Sequence, residues 1–558
     1  MQGLDLKERE DVGVVLGSRD SAPLSFWVGV RAGATVQLDD LIVVDTQTPD
    51  GRPIAYFGIV DEVAKRFEGQ TYDTDAFLVA ENALPAEVAY VAHVQVTRLE
   101  PEVFVPPHPG STAAVVHGEA YQRALSFDTM ERKAVIGITR TGEAVYANLE
   151  FLDGTRGAHA SISGVSGVAT KTSYATFLLY SLFHSDALGA DATNSKAIIF
   201  NVKGEDLLWL DQPNSKLSEE ARAQYERLGL PVGPFRSVRL FAPAKRGDRI
   251  APDTGGRFEG VDPYVWSLRQ FARERLLRFA FAGAEDARQQ LSFVVTRVER
   301  VLEKAAQEGN LQDPTIEVAG TRLHDFQELT DLLDGGALDQ MAPNAASGTL
   351  DAFRRRLHAA AHHMGHLVRG DEEAAKYPID WRSSQVTVID IHRLHATAQL
   401  FVVGAILKRA MEEKEAKGTS KPLQFIVLDE LNKYAPRQGW SPIQETLLDI
   451  AERGRSLGVS LFGAQQTASE VERRVVSNAA LRVVGRLDAA EAERDEYRFL
   501  GRATRTRATV LQPGSMIVSQ PEIPVPILLR FPFPAWATRA SEADRDFDED
   551  ELFSRMGE

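Results

Sequence analysis

The residues best equipped for chemistry stand in two stretches far apart in the chain. The first is the turn Gly164-Val165-Ser166-Gly167-Val168-Ala169-Thr170-Lys171-Thr172-Ser173. A lysine beside a hydroxyl, preceded by glycines, suits a polyphosphate. Backbone N–H groups turn inward on phosphate oxygens, the ammonium reaches the β and γ oxygens, and the hydroxyl ligates Mg²⁺. The second is Asp429-Glu430, directly after the apolar run Gln424-Phe-Ile-Val-Leu428. There one carboxylate can sit on the metal side of the phosphates while the next polarises an attacking water. Each alone is ordinary, because glycine-rich turns occur without ligands and acids commonly follow buried strands. Both in one chain, each at the end of its own predicted strand, point to hydrolysis of ATP with Mg²⁺.

The elements that must carry these residues can be read on either side. Ala160 and Ile162 alternate as in a short strand, and Tyr174, Phe177, Leu178 and Tyr180 follow at helical spacing. Strand, glycine turn, Lys-Thr and helix is the layout of a phosphate loop. The spelling departs from G-x-x-x-x-G-K-[ST], which wants glycines where this chain has Val165 and Thr170. A third motif lies downstream. An amphipathic helix starting near Pro442 closes on Glu452-Arg453-Gly454-Arg455-Ser456-Leu457-Gly458, and the strand Val459 to Ala464 ends in Gln465-Gln466. A glutamine at that strand end can sense the γ-phosphate, and an arginine before the strand can reach a neighbouring subunit's nucleotide. Arginines in a last helical turn also serve simply as partners of the helix dipole.

The order phosphate loop, apolar Asp-Glu strand, (E)RGRxxGV and strand-Gln-Gln resembles the HerA/FtsK group of hexameric P-loop ATPases, bacterial HerA in particular. The first hundred residues also resemble the N-terminal β-barrel of that family. The resemblance implies an α/β, RecA-like P-loop ATPase core with a small N-terminal barrel and a helical insertion. It also implies a homohexamer acting on double-stranded DNA as a translocase or helicase, with ATP as substrate and Mg²⁺ as cofactor. A nuclease partner of the NurA type, in double-strand-break end resection and recombinational repair, is implied. The alternative is a ring that scaffolds or regulates an antiphage effector with little translocation of its own. Carried over by position, Gly164 and the loop from Ser166 through Ser173 bind nucleotide, with Lys171 on phosphate and Thr172 on Mg²⁺. Asp429 is the second metal-side acid and Glu430 the catalytic base. Gln466 takes the sensor position and Gln465 the small polar slot before it. Arg455 matches the trans arginine, Arg453 competes with it, and Arg156, just upstream of the loop, matches an arginine that touches nucleotide. The family form T-G-x-G-K-[ST] is replaced here by SGVSGVATKTS.

Bulk properties fit this reading. At 558 residues the chain has room for about three or four domains. Hydrophobic content of 44% and charged content of 25% belong to a folded globular protein. The absence of cysteine excludes disulfides and thiolate metal sites and suits a reducing compartment. The charged start MQGLDLKERED lacks a signal-peptide core, and no run reaches about 18 apolar residues. A cytoplasmic protein with no membrane span is expected. The net charge of −16 argues against a generally basic nucleic-acid coat, while leaving room for a ring whose lumen alone is basic.

Along the chain, residues 1–110 read as a small barrel of short strands, bounded by the proline-rich connector Val103 to Gly110. Residues 111–258 hold the first part of the α/β core and 259–375 a helical insertion. Residues 376–535 hold the second part of the core, and 536–558 an acidic tail or arm. After the predicted strand Lys196 to Val202, Glu205 is a candidate for positioning water or a plain turn acid. In the insertion, His358, His362 and His366 recur at i, i+4, i+8 beside His363. That spacing can ligate zinc. With Arg354-Arg-Arg356 just before it, a basic, partly apolar face for phosphate contact or packing is the competing reading.

Overall fold

The computed structural model describes residues 9–68, 72–165, 171–247, 250–282, 290–371, 374–439 and 441–543. The chain parts into two compact units, one of residues 1–133, 146–148 and 486–529, the other of the remainder.

The first unit is built on a closed barrel. Its strands are β1 (Arg9–Val15), β2 (Ser25–Val30), β3 (Leu41–Gln47), β4 (Pro53–Glu68), β5 (Glu87–Glu100) and β6 (Thr112–Val116). They close in the order β1-β2-β5-β4-β3-β6. Closure removes the open edges that a six-strand sheet would expose. Val12, Phe26, Val28, Ile42, Val44, Tyr56, Val60 and Val94 fill the interior. The closing strand β6 lies past the proline-rich connector. That connector belongs to the barrel's wall, because the Tyr56 hydroxyl donates to the Val105 carbonyl at 2.7 Å. The helix Gly501–Ala508 is held to the same unit by the Arg507 guanidinium, which donates to both Asp39 oxygens at 2.7 Å.

The second unit contains a parallel sheet. Its strands are β7 (Ala160–Ser163), β8 (Lys196–Asn201), β9 (Val238–Pro243), β10 (Val261–Tyr264), β11 (Val386–Asp390), β12 (Gln424–Leu428), β13 (Val459–Gln465) and β14 (Leu481–Val484). They lie in the order β10-β9-β11-β8-β12-β13-β7-β14, every neighbour parallel. Every residue of β7, β11, β12 and β13 is buried. A parallel strand covered on both faces has no solvent side, so these read as continuous apolar runs rather than alternating ones. The principal helices are α1 (Lys171–His184), α2 (Gln290–Gln307), α3 (Ser347–Met364), α4 (Ala396–Lys417) and α5 (Pro442–Leu457). Helix α5 shows why the sequence begins and ends it there. Ser441 caps its N-terminus by accepting from Gln444 N–H, proline occupies the first turn, and Gly458 closes it in the left-handed conformation.

The helical segment between β10 and β11 shares one core with the sheet. Phe271, Phe279, Val294, Val298 and Phe353 belong to the same buried cluster as Ile198, Phe200, Phe401 and Ile426. Gly404 on α4 allows the closest approach, since a Cβ there would stand 2.2 Å from the Phe279 ring. Glu299 is buried on α2 and meets the Arg278 guanidinium at 2.6 Å, so the charge is paired where it leaves water. An α/β class with a small barrel and a helical insertion is therefore what the chain adopts. Among the described residues, no helix is long and apolar enough to cross a membrane.

Candidate functional site

Parallel order delivers the C-terminal ends of β7, β8, β12 and β13 to one edge of the sheet. The two chemical stretches meet there. Strand β7 ends at Ser163, and Gly164 N–H donates to the Gln465 carbonyl at 3.2 Å. Ser166, Gly167, Val168, Ala169 and Thr170 lie outside the described residues. Lys171 opens α1, is buried, and donates from Nζ to the Gly164 carbonyl at 2.7 Å. Burial pushes its pKa down, against the attraction of Asp429. One residue on, Thr172 Oγ1 donates to Asp429 Oδ2 at 2.9 Å. Strand β13 lies between β7 and β12, pairing Ser163 with Gln465 and Leu428 with Gly463. The lysine turn and the acids thus reach each other across the end of β13, where Gln465 and Gln466 sit.

Glu430 is placed by an unusual backbone. Its φ is +56°, and its N–H donates to its neighbour's Asp429 Oδ1 at 2.7 Å. That turn aims the Glu430 carboxylate at Lys203 Nζ, with which it forms an ion pair, and at Gln466 Nε2, 3.2 Å away. Burial alone would raise the carboxyl's pKa, but the Lys203 hydrogen bond and charge hold it below the ordinary glutamate value. Lys203 was not singled out from the sequence; its only signal was its position after a buried strand. Glu205, which was, accepts from Gly256 N–H at 2.6 Å. Asn201 and Asp390, at the ends of β8 and β11, were also missed. Asn201 Nδ2 donates to Asp390 Oδ1 and to the Gly204 carbonyl, both at 2.8 Å, which fixes the turn carrying Lys203.

The two glutamines part ways. Gln465 is fully buried and donates to Ser161 Oγ and Ser163 Oγ at 2.8 and 2.9 Å, bracing β7. Gln466 lines a cavity of about 420 Å³ together with Lys171, Thr172, Ser173, Lys203, Asp429 and Trp536. A hydroxyl and a carboxylate side by side make an oxygen donor set, the kind that fits Mg²⁺.

The three arginines are not brought to this cavity. Arg156, Arg453 and Arg455 flank the N-terminal ends of β7 and β13, and seven-residue β13 spans roughly 20 Å. Arg455 donates to the Gly154 and Thr155 carbonyls at 3.3 and 2.9 Å. Arg453 pairs with Glu415 at 2.6 Å and Asp449 at 2.9 Å. Arg156 lies over the Phe151 ring and 3.5 Å from Glu150. The histidines of α3 and the turn after it also diverge. His358 faces Asp334 at 3.5 Å, and His363 stacks on His395 with ring centroids 3.5 Å apart. His366 is largely buried, which pushes its pKa down to about 4. Among the described residues, no group of three His, Cys, Asp or Glu side chains is placed to hold a metal ion.

The fold and this edge define a parallel α/β protein in which a Lys-Thr turn faces an Asp-Glu pair across one strand end. No family model matches the chain, and no curated protein does. Among solved structures it is similar to VirB4 of Thermoanaerobacter pseudethanolicus, at 14% identity and a TM-score of 0.47, over 72% of this chain and 96% of that one. It is also similar to the bacterial conjugative coupling protein TrwBΔN70, at 12% identity and a TM-score of 0.46, over 75% and 94%. The plasmid coupling protein TrwB in complex with ADP and Mg²⁺ matches at the same identity, score and coverage. Likeness at this level assigns no substrate or partner.

Proposed function

We propose that the chain is an ATP hydrolase of the HerA/FtsK kind that, as a homohexamer, drives movement along double-stranded DNA. Its working partner in this reading is a nuclease, and its task is end resection in recombinational repair. The observation that carries the proposal is the Thr172–Asp429 hydrogen bond, which joins the phosphate turn to the acids beside one cavity.

In this reading Lys171 and the turn before it hold the β and γ phosphates. Thr172 and Asp429 would hold Mg²⁺, an ion that supplies charge neutralisation of the phosphates when bound. Glu430, kept ionised by Lys203, accepts the proton of the attacking water as its oxygen bonds the γ-phosphorus and the β–γ bridging oxygen departs. Gln466 shares the Glu430 carboxylate and faces the same cavity, a position suited to reporting the γ-phosphate to the base. Arg455 or Arg453 completes the site of the adjacent subunit, and their place at the far end of the strands supports action in trans. Arg156, at the same end, is proposed as a contact to nucleotide rather than as a trans finger.

The test is hydrolysis with and without duplex DNA, and ATP-driven displacement of a block on the duplex. Glu430→Gln is expected to retain nucleotide and lose turnover by at least about 100-fold. A wild-type ring unable to cleave ATP with DNA present sinks the proposal. Capture of the native complex identifies the partner, and an antiphage effector in place of a nuclease would overturn the repair assignment.

A further inference from the structure

The chain carries a net charge of −16, yet two cations and three imidazoles gather on the same side of the sheet as Lys171 and Asp429. Three elements contribute: the loop after β9, the C-terminal end of α3, and the turn from β11 into α4. The two sides of the loop are joined by Lys245 N–H on the Ala251 carbonyl at 2.8 Å and Asp253 N–H on the Pro243 carbonyl at 2.7 Å. It exposes Lys245 and Arg246, and Lys245 Nζ lies 5.0 Å from the ring centre of Phe258, itself 48% exposed. Arg246 donates to the His362 carbonyl at 2.6 Å at the end of α3. The rings of His362 and His363 are 4.9 Å apart, and His363 stacks on His395 from the third element. His395 Nδ1 accepts from Thr397 N–H at 3.2 Å, which leaves Nε2–H as its donor.

Among the described residues, three carboxylates nearby are already engaged. Asp253 faces Arg393 at 3.3 Å, Asp371 faces Arg369 at 2.6 Å, and Glu205 accepts from Gly256. Among the described residues, no carboxylate is paired with Lys245 or Arg246. Burial and the crowding of His395, His362 and Arg246 hold His363 below the ordinary imidazole pKa, so an anion placed here would relieve like-charge repulsion. Two cations on one loop and the imidazoles of two further elements, with an exposed aromatic beside the lysine, suit the spaced phosphates of a polymer better than a single small anion.

We propose that Lys245, Arg246, Phe258, His362, His363 and His395 form a contact site for the phosphate backbone of DNA. This rests on the translocase reading and assigns where the nucleic acid is held. The site also has a connection to the hydrolytic residues. The turn after β8 sends Lys203 to Glu430 and Glu205 to Gly256 in the same loop, so an occupant of the loop bears on the base.

The experiment measures binding of the full chain, with Mg²⁺ and ATP, to a short fluorescein-labelled duplex across a salt series. The double variant Lys245→Ala/Arg246→Ala is expected to bind about tenfold more weakly, with a salt slope shallower by about 2. Arg246→Lys should retain most of the affinity. Hydrolysis without DNA should stay at the wild-type rate in both, while the DNA-stimulated increment falls in the double variant. Unchanged affinity and slope overturn the site while leaving the hydrolase intact. A wild-type chain that binds no duplex overturns the site and the translocase together. Poly-glutamate binding that is lost in the double variant, with duplex binding retained, assigns the patch to an acidic protein segment and overturns the proposal as well. A chain that binds DNA through this patch but cleaves no ATP keeps the site and loses the motor.

Discussion

Glu430 and Lys203 show how one ion pair sets the chemistry of a carboxylate. Lys203 keeps Glu430 ionised at a pH where burial alone would favour the acid. Replacing it in Lys203→Met should move the acidic limb of the ATP hydrolysis profile to higher pH, as read from kcat/KM against pH. An unmoved limb would show that Lys203 does not tune the base. His159 makes a second residue-scale case, at the N-terminal end of β7. It is buried with φ +69°, donates its N–H to Ser460 Oγ, and accepts from Leu461 N–H at Nδ1, both at 3.0 Å. Burial pushes its pKa down to about 4 from 6.5. The unfolded chain therefore takes up a proton first, so stability is complete above pH 6.5 and falls as the pH drops toward 4. The loss is about 3 kcal/mol. His159→Asn keeps an acceptor in a tolerated left-handed backbone. Denaturant midpoints of the two proteins at several pH values should converge as the pH falls, and parallel curves would refute the linkage.

At the scale of elements, the buried parallel strands were readable as apolar runs because neither face meets water. The barrel strands were readable from their alternation and turns. The closing strand Thr112–Val116 was not, because its short Ala- and Val-rich pattern has meaning only once β1 and β3 stand on either side of it. The stretches on either side of β14 form only short helical turns, at Ala468–Glu470, Arg473–Ser477, Ala489–Ala492 and Asp495–Leu500. The packing of α4 on the insertion yields a prediction at this scale. Gly404→Ala forces Cβ against the Phe279 ring and should cost about 1–2 kcal/mol in chemical denaturation, despite alanine's better helix propensity. Phe279→Leu should recover part of that loss in the double variant. Strictly additive effects would show that the ring and the glycine are not coupled.

The whole molecule has an asymmetry that a single chain does not use. Lys171, Thr172, Asp429, Glu430 and Gln466 gather at the C-terminal ends of the strands, whereas Arg156, Arg453 and Arg455 flank the N-terminal ends. A closed ring would set one such end beside the other in successive subunits. Arg455→Ala is expected to abolish hydrolysis, and mixtures with Lys171→Ala chains should regain part of it, because one interface then holds both intact halves. Absence of rescue at every mixing ratio would argue against a shared site.

Residue order determined the kinds of element and the identity of the two chemical stretches, since both are written locally as apolar period, turn residue and polar terminus. It named Lys171 and Thr172 because they open a helix after a glycine turn, and Asp429 and Glu430 because they follow directly on a strand. It could not name Lys203 as the partner of Glu430, or part Gln465 from Gln466, or join Arg246 to His362 and His395. Those relations depend on which strands become neighbours and which way each side chain turns. Such outcomes follow from burying both faces of one sheet, a property of the folded chain and of no segment within it.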